Sequence, residues 1–218
     1  MSGLRLPNPQ REHHRWGRAD FFDNRHKSIL VRIAEMKPSD VFYELGCGDA
    51  SLLAYVTEKC SLNRAIGFEN MSSRTRRARQ KIARASLEGR ISIETDMYDA
   101  DLGKADVIFD MLLEGNGDYR DLYSRRSRIK TGTKLIKHDL PLIGFRPDKV
   151  DFPFYLMKFP LHKAESQNQW ASEVLEEPQA TIENLWHELL YYGYEKRYFK
   201  DDIKRFQTLL DSRVPRKR

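Results

Sequence analysis

The sequence predicts an α/β chain built on a largely parallel sheet. Three observations carry this. Short apolar runs alternate with helical segments, a glycine loop joins the first run to the helix after it, and an acid stands at the end of each of three consecutive runs. Alternating strands and helices imply crossover units, which leave neighbouring strands parallel.

The elements follow in order. "NRHKSILVRIAEM" sets Ile29, Leu30, Ile33 and Met36 near helical spacing, with Asp23 or Asn24 placed to cap the helix. Pro38, Ser39 and Asp40 end it. "VFYEL" (41–45) reads as a strand, and "SLLAYVTEKC" after the glycines as a helix. "RAIGFE" (64–69) is a second strand, followed by the helical "SSRTRRARQKIARAS". "RISIETD" (90–96) and "ADVIFDML" (105–112) are the third and fourth strands. A short helix is expected over 118–129 and a fifth strand at "TKLIKHDL" (133–140). "DFPFYLMKFPL" (151–161) reads as one last strand, rich in aromatics.

The flanks differ in character. Residues 1–24, with Pro7 and Pro9 early, read as an N-terminal arm without regular structure at its start. Past residue 161, "HKAESQNQWASEVLEEP" has little periodicity. "TIENLWHELLYYG" reads as a helix capped by Thr181 and stopped by Gly193, and "DDIKRFQTLLDSRV" as another opened by Asp201 or Asp202. The expected organisation is an arm (1–24), an α/β domain (25–160) and a helical C-terminal extension (161–218).

Composition narrows the class. The chain has 218 residues, 32% of them charged and 40% hydrophobic, which fits one soluble globular domain with appendages. No run approaches the roughly 18–20 apolar residues of a membrane span, and "MSGLRLPNPQREHHRW" lacks the apolar core of a signal peptide. A cytoplasmic protein with no membrane partner is expected. Cys47 and Cys60 make neither a metal spacing nor a disulfide framework, so no metal is expected. The net charge of +6 is a mild pointer to an acidic partner.

The glycine loop, "ELGCGDAS", raises the question of its ligand. Glycines between a strand and a helix let the backbone turn tightly and approach a bound molecule. Dinucleotide loops want a third glycine and seat a pyrophosphate on the helix N-terminus. Here Gly46 and Gly48 are present, Cys47 supplies a small side chain between them, and Ser51 stands at the third position. Glu44 and Asp49 flank the loop and would repel a pyrophosphate. They suit a ligand that brings positive charge and no phosphate.

S-adenosylmethionine is such a ligand, with an ammonium and a sulfonium. Glu44 is placed to orient the ammonium end. Glu69 ends the second strand about 20 residues beyond Gly48, the spacing at which an acid reaches the ribose hydroxyls. Asp96 ends the third strand, placed to accept from the adenine amino group, with Met97 beside it to pack on the ring. With Asn70 and Asp110 added, the candidate cofactor residues are Glu44, Gly46, Cys47, Gly48, Asp49, Glu69, Asn70, Asp96, Met97 and Asp110.

At these motifs the chain resembles a known family. "VFYELGCGDASLL", "RAIGFE", "ISIETDMYD", "ADVIFDMLL" and "GTKLIKHD" resemble successive motifs of class I methyltransferases, over roughly residues 25–160. The resemblance implies a Rossmann-like, seven-stranded mixed sheet with helices on both faces and the last strand antiparallel. Within that class, "DVIFDMLLEGN" and "GFRPDKVDFPFYLMKF" are most similar to small archaeal protein lysine methyltransferases, themselves similar to Dot1-like histone lysine methyltransferases. One position and one stretch depart from the pattern. Ala50 stands where relatives usually have Gly, and the stretch after strand four reads Glu114, Gly115, Asn116, Gly117 where relatives carry an Asn or Thr. Which of these lines the acceptor channel is therefore left open, and residues 161–218 fall outside the resemblance.

The acceptor is read by elimination. "DMLLEGNGDY" replaces the N-P-P-Y stretch of base amino-methyltransferases, and neither cysteine stands where base C5 methylation needs a nucleophile. A lysine amine of a protein substrate fits what remains. In-line displacement needs alignment and a neutral amine, and a narrow apolar channel lowers an amine's ordinary pKa of about 10.4. Trp16, Phe21 and Phe22 of the arm and Phe152, Phe154 and Tyr155 of the last strand are candidate channel walls. Glu114, Asn116 and Tyr119 are the candidate catalytic residues, holding the amine. The alternatives are an RNA methyltransferase, a small-molecule methyltransferase and a cofactor-binding partner protein without turnover. Nucleic acid is a second candidate partner. It would meet basic clusters at Arg74, Arg77, Lys81 and Arg84, at Arg120, Arg125, Arg126, Arg128 and Lys130, and at 216–218.

Overall fold

The computed structural model describes residues 23–98, 100–111, 128–138, 140–193 and 199–215. Trp16, Phe21, Phe22, Glu114, Asn116, Tyr119, most of the second basic cluster and the terminal one lie outside them. So does most of the helix expected over 118–129.

Helix α1 (Asn24–Ala34) opens on Asp23, whose carboxylate accepts from the His26 amide at 2.9 Å. Its Ile29, Leu30, Ile33 and Ala34 are buried. The core then alternates β1 (Val41–Leu45), α2 (Ser51–Lys59), β2 (Arg64–Phe68), α3 (Ser72–Arg84), β3 (Ile91–Glu94), β4 (Val107–Asp110) and β5 (Lys134–His138). A hairpin follows, β6 (Lys149–Asp151) and β7 (Phe154–Lys158).

The sheet has seven strands in the order β3-β2-β1-β4-β5-β7-β6. The first five are parallel, and β7 enters antiparallel between β5 and β6. Strand β4 is buried along its whole length and β1 and β2 at all but their first residue, as expected of parallel strands packed on both faces. The order reverses at β1, which has β2 on one side and β4 on the other. In open α/β sheets the ligand crevice forms at this switch point, beyond the carboxyl ends of the strands.

Two expectations are corrected. The single last strand over 151–161 is a hairpin, with Asp151 and Phe154 facing each other across Phe152 and Pro153. Proline has no N–H to give a ladder, so the turn falls there. The stretch of little periodicity after residue 161 contains a helix, α4 (Gln167–Leu175). Ser166 caps it by accepting from the Gln169 amide, and Trp170, Ala171, Val174 and Leu175 form its buried stripe. That stripe is short, and the polar "ESQNQ" before it conceals its start.

Helices α5 (Ile182–Gly193) and α6 (Phe199–Arg213) follow. With α4 they form a second apolar cluster, in which Trp170, Leu185, Phe206 and Leu210 pack with Leu140, Ile143 and Tyr155. Polar bonds tie the cluster to the α/β core: Trp170 Nε1 donates to the Phe145 carbonyl, in the connection after β5, at 3.0 Å, and Tyr155 Oη of β7 to the Val174 carbonyl at 3.2 Å. Gly144 has φ +80°, and a Cβ there would stand 2.8 Å from Val214 Cγ2, so only glycine lets the chain pass beneath the end of α6.

Candidate functional site

The site begins with the glycine loop. Gly46 and Gly48 have φ of 79° and 58°, left-handed values that favour glycine. The Gly46 and Cys47 amides both donate to the Phe68 carbonyl at 2.9 Å, which folds the loop across the end of β2. Cys47 is buried there, and a Cβ on Gly67 would lie 2.6 Å from its Sγ. Gly67 thus makes room for the loop. Burial pushes the Cys47 thiol upward, and the nearby Glu44 and Glu69 carboxylates add to this. The thiol is a packing group, as the sequence suggests.

Glu69 follows β2 directly and is 6% exposed. Its Oε2 accepts from the Gly48 amide at 3.1 Å and its Oε1 from the Met71 amide at 2.9 Å. One carboxylate therefore joins the glycine loop to the start of α3. Each oxygen keeps a second lone pair. Asn70, next in the chain, is exposed.

Asp49 is held differently. It accepts from the Ser51 amide at 3.0 Å and pairs with Lys81 of α3 at 2.5 Å, and Lys81 also bonds Ser51 Oγ. Burial disfavours the charged form of Asp49, yet the bonds from Lys81 and Ser51 hold its carboxyl below the usual range. The acid beside the second glycine is thus already neutralised by a protein cation. Sequence spacing concealed that pairing, because Lys81 comes from the next crossover unit.

Glu44 has no such partner among the described residues. It lies in β1, is 4% exposed, and its Oε2 has no hydrogen-bond partner among the described residues. Burial drives its carboxyl well above the ordinary glutamate range and the Asp49 charge adds to this, against the Leu53 amide and the Lys27 ammonium. Lys27 reaches over from α1, its Nζ 5.5 Å from the centroid of the Tyr55 ring. An unpaired buried carboxylate oxygen costs roughly 1–3 kcal/mol, and more when charged.

The third strand stops at Glu94, two residues short of Asp96. Asp96 is exposed on the following loop, where its Oδ1 accepts from the Tyr98 amide at 2.8 Å. Met97 packs on the cluster that holds Phe68 and Leu102. Asp110 ends β4 fully buried and bonds Lys137 Nζ of β5 at 2.9 Å, the two residues standing opposite each other in the ladder. Lys137 is a residue the sequence reading missed. Its signal was present, since "VIFD" and "KLIK" set an acid and a lysine at matching ends of adjacent strands.

Beyond that pair, His138 packs edge-on against Phe154, ring centroids 5.2 Å apart, and His26 of α1 stands 6.0 Å from His138. The first turn of α1 thus sits over the ends of β5 and β7. Glu44, the glycine loop, Glu69 and the Asp96 turn all lie at one edge of the sheet. Among the described residues no group of three or more histidines, cysteines or acids could hold a metal ion. No helix there is long and apolar enough to cross a membrane.

No family model matches the chain. It is similar to a protein-lysine N-methyltransferase of Saccharolobus islandicus (strain REY15A), 27% identical over 122 residues, which are 56% of this chain and 75% of that protein. Among solved structures it is similar to an RNA methyltransferase from Salinibacter ruber in complex with S-adenosyl-L-homocysteine. That likeness has a TM-score of 0.58 and 23% identity, covering 66% of this chain and 96% of the other. A tRNA methyltransferase of B. subtilis matches with a TM-score of 0.51 and 16% identity, over 84% of this chain and 93% of the other. With its strand order, its glycine loop at the switch point and these likenesses, the chain has the fold of the class I, S-adenosylmethionine-dependent methyltransferases.

Proposed function

We propose that the protein transfers a methyl group from S-adenosylmethionine to a lysine side-chain amine of a protein substrate. The observation that carries the cofactor half is the buried, unpartnered Oε2 of Glu44. A ligand ammonium would supply the missing donor and the missing positive charge together. Glu69, which already orders the loop through Gly48, keeps lone pairs for ribose hydroxyls, and Asp96 and Met97 stand on the next loop for the adenine. Gly46, Cys47, Gly48 and Asn70 supply the backbone around it. Asp49 and Asp110 act in this reading by ordering the crevice, through Lys81 and Lys137.

The cofactor supplies an activated methyl on a sulfonium. The chain's part is to align a neutral amine with it and keep water away. Glu114, Asn116 and Tyr119, which follow β4 in the sequence, are proposed to hold that amine by accepting its hydrogen bonds. Similarity to a protein-lysine N-methyltransferase supports the protein acceptor. Radiolabelled methyl transfer into a cell extract tests it: label removed by protease and resistant to ribonuclease is the expected result. Asn116→Ala should lower turnover at unchanged cofactor affinity, and equal loss of both would remove Asn116 from the acceptor side.

A second reading, transfer to RNA, is supported by the exposed arginines of α3. Label lost to ribonuclease would promote it over the first.

A further inference from the structure

Helix α3 carries Arg74, Arg76, Arg77, Arg79, Lys81 and Arg84 and no acidic residue. The structure divides them. Arg74 and Lys81 occupy the edge nearest the crevice, where they face Glu69 at 3.8 Å and Asp49 at 2.5 Å. Thr75, Ala78 and Ile82 face the core. Arg76, Arg77 and Arg84 fall within an arc of about 100° on the opposite side, at 3.6 residues per turn. All three are exposed, as is Arg79 beside them, and none has a carboxylate partner among the described residues.

Acids could have balanced this face at i,i+4 spacing, which is how solvent-exposed helices usually carry charge. None does, so the arginines repel one another along about 12 Å of helix. A polyanion laid along the helix removes that repulsion. Arginine's planar fork matches phosphate oxygens two at a time, and five of the helix's basic residues are arginine against one lysine. The helix has no aromatic residue, and Met71 is the large hydrophobic residue exposed beside it, so the face offers no platform for stacking single-stranded bases.

We infer that the outer face of α3 docks the phosphate backbone of a nucleic-acid double helix, next to the mouth of the glycine-loop crevice. This goes beyond the methyl-transfer reading and does not depend on the acceptor. Contacts are to phosphates, so the binding is indifferent to sequence and steep in salt.

The test is fluorescence anisotropy with a labelled 20-base-pair DNA duplex, repeated with an RNA duplex, a single strand and polyglutamate as competitor. The wild-type protein should bind a duplex with affinity that falls steeply between about 50 and 200 mM salt. Replacing Arg76, Arg77 and Arg84 together by Gln should weaken binding at least tenfold and remove about 2–3 from the slope of log K against log salt. Replacing the same three by Lys should keep most of that slope. The DNA and RNA duplexes tell which helix is preferred. An unchanged slope in the Gln variant, equal loss in the Lys variant, tighter binding to the single strand, or polyglutamate competing as well as duplex would each overturn the assignment. Titration of S-adenosylhomocysteine into the Gln variant should be unchanged, which separates this outcome from failure of the cofactor reading.

Discussion

Two carboxylates sit buried at the same edge of the sheet, on neighbouring strands, and meet opposite fates. Asp110 of β4 faces Lys137 across the ladder, and both are within 3% of full burial. Glu44 of β1 lies one strand over, equally enclosed, with an oxygen that nothing described satisfies. A buried charge must be paired or it shifts toward its neutral form. The first carboxylate is completed by the fold. The second keeps an oxygen without a partner among the described residues, and that difference sets the two acids apart more clearly than burial or position does.

The largest effect should come from breaking the complete pair. Lys137→Met strands Asp110 in the core and should lose about 3–5 kcal/mol in urea unfolding. Adding Asp110→Leu should recover most of that loss. A single variant as stable as wild type would show that the pair is dispensable and that the comparison fails.

Glu44→Gln should do the reverse. It should weaken S-adenosylhomocysteine, which keeps the ammonium, by about 1.5–3 kcal/mol in calorimetric titration, without lowering Tm. The pH dependence sharpens this. Burial raises the Glu44 carboxyl in the folded chain, so its contribution to stability is complete below the unfolded value near 4.3 and is lost as pH rises through the folded value. The variant should therefore gain in Tm over wild type as pH rises through that window. Cofactor affinity of the wild type should rise over the same window, with one proton released, while the variant stays flat. A parallel pH response in both proteins would relieve Glu44 of the role.

The smallest effect belongs to the exposed counterpart. Lys81 and Asp49 are each about two-fifths exposed, so their pair is well screened. Lys81→Met should cost under about 1 kcal/mol of stability, less at high salt. A loss comparable to that of Lys137→Met would mean that Asp49 is the buried partner that matters.

Much of this was legible in the residues. Strands β1 to β5 and helices α1 to α3 stand where apolar runs and helical spacing placed them, because local pattern and burial agree there. Glu44, Glu69 and the Asp96 turn gather at one edge because parallel strands end at the same side. Helix α4 escaped, since a nine-residue helix with a four-residue stripe leaves little periodicity to read. The hairpin at Phe152 and Pro153 escaped because β6 is only three residues long and the aromatic run continues from the turn into β7.

The sequence by itself determined the fold class, the glycine loop and the presence of acids that disfavour a pyrophosphate. Those follow from local chemistry: which residues turn, which prefer strands, which carry charge. Only the tertiary structure decided which acid is spoken for. Lys81 reaches Asp49 from a separate crossover helix, and Lys137 reaches Asp110 from the next strand. Ion pairing is set by distance in space, and the packing of α3 on the sheet and the register of β4 against β5 set those distances. What remained without a partner among the described residues was one oxygen of Glu44, and no spacing along the chain could have announced it.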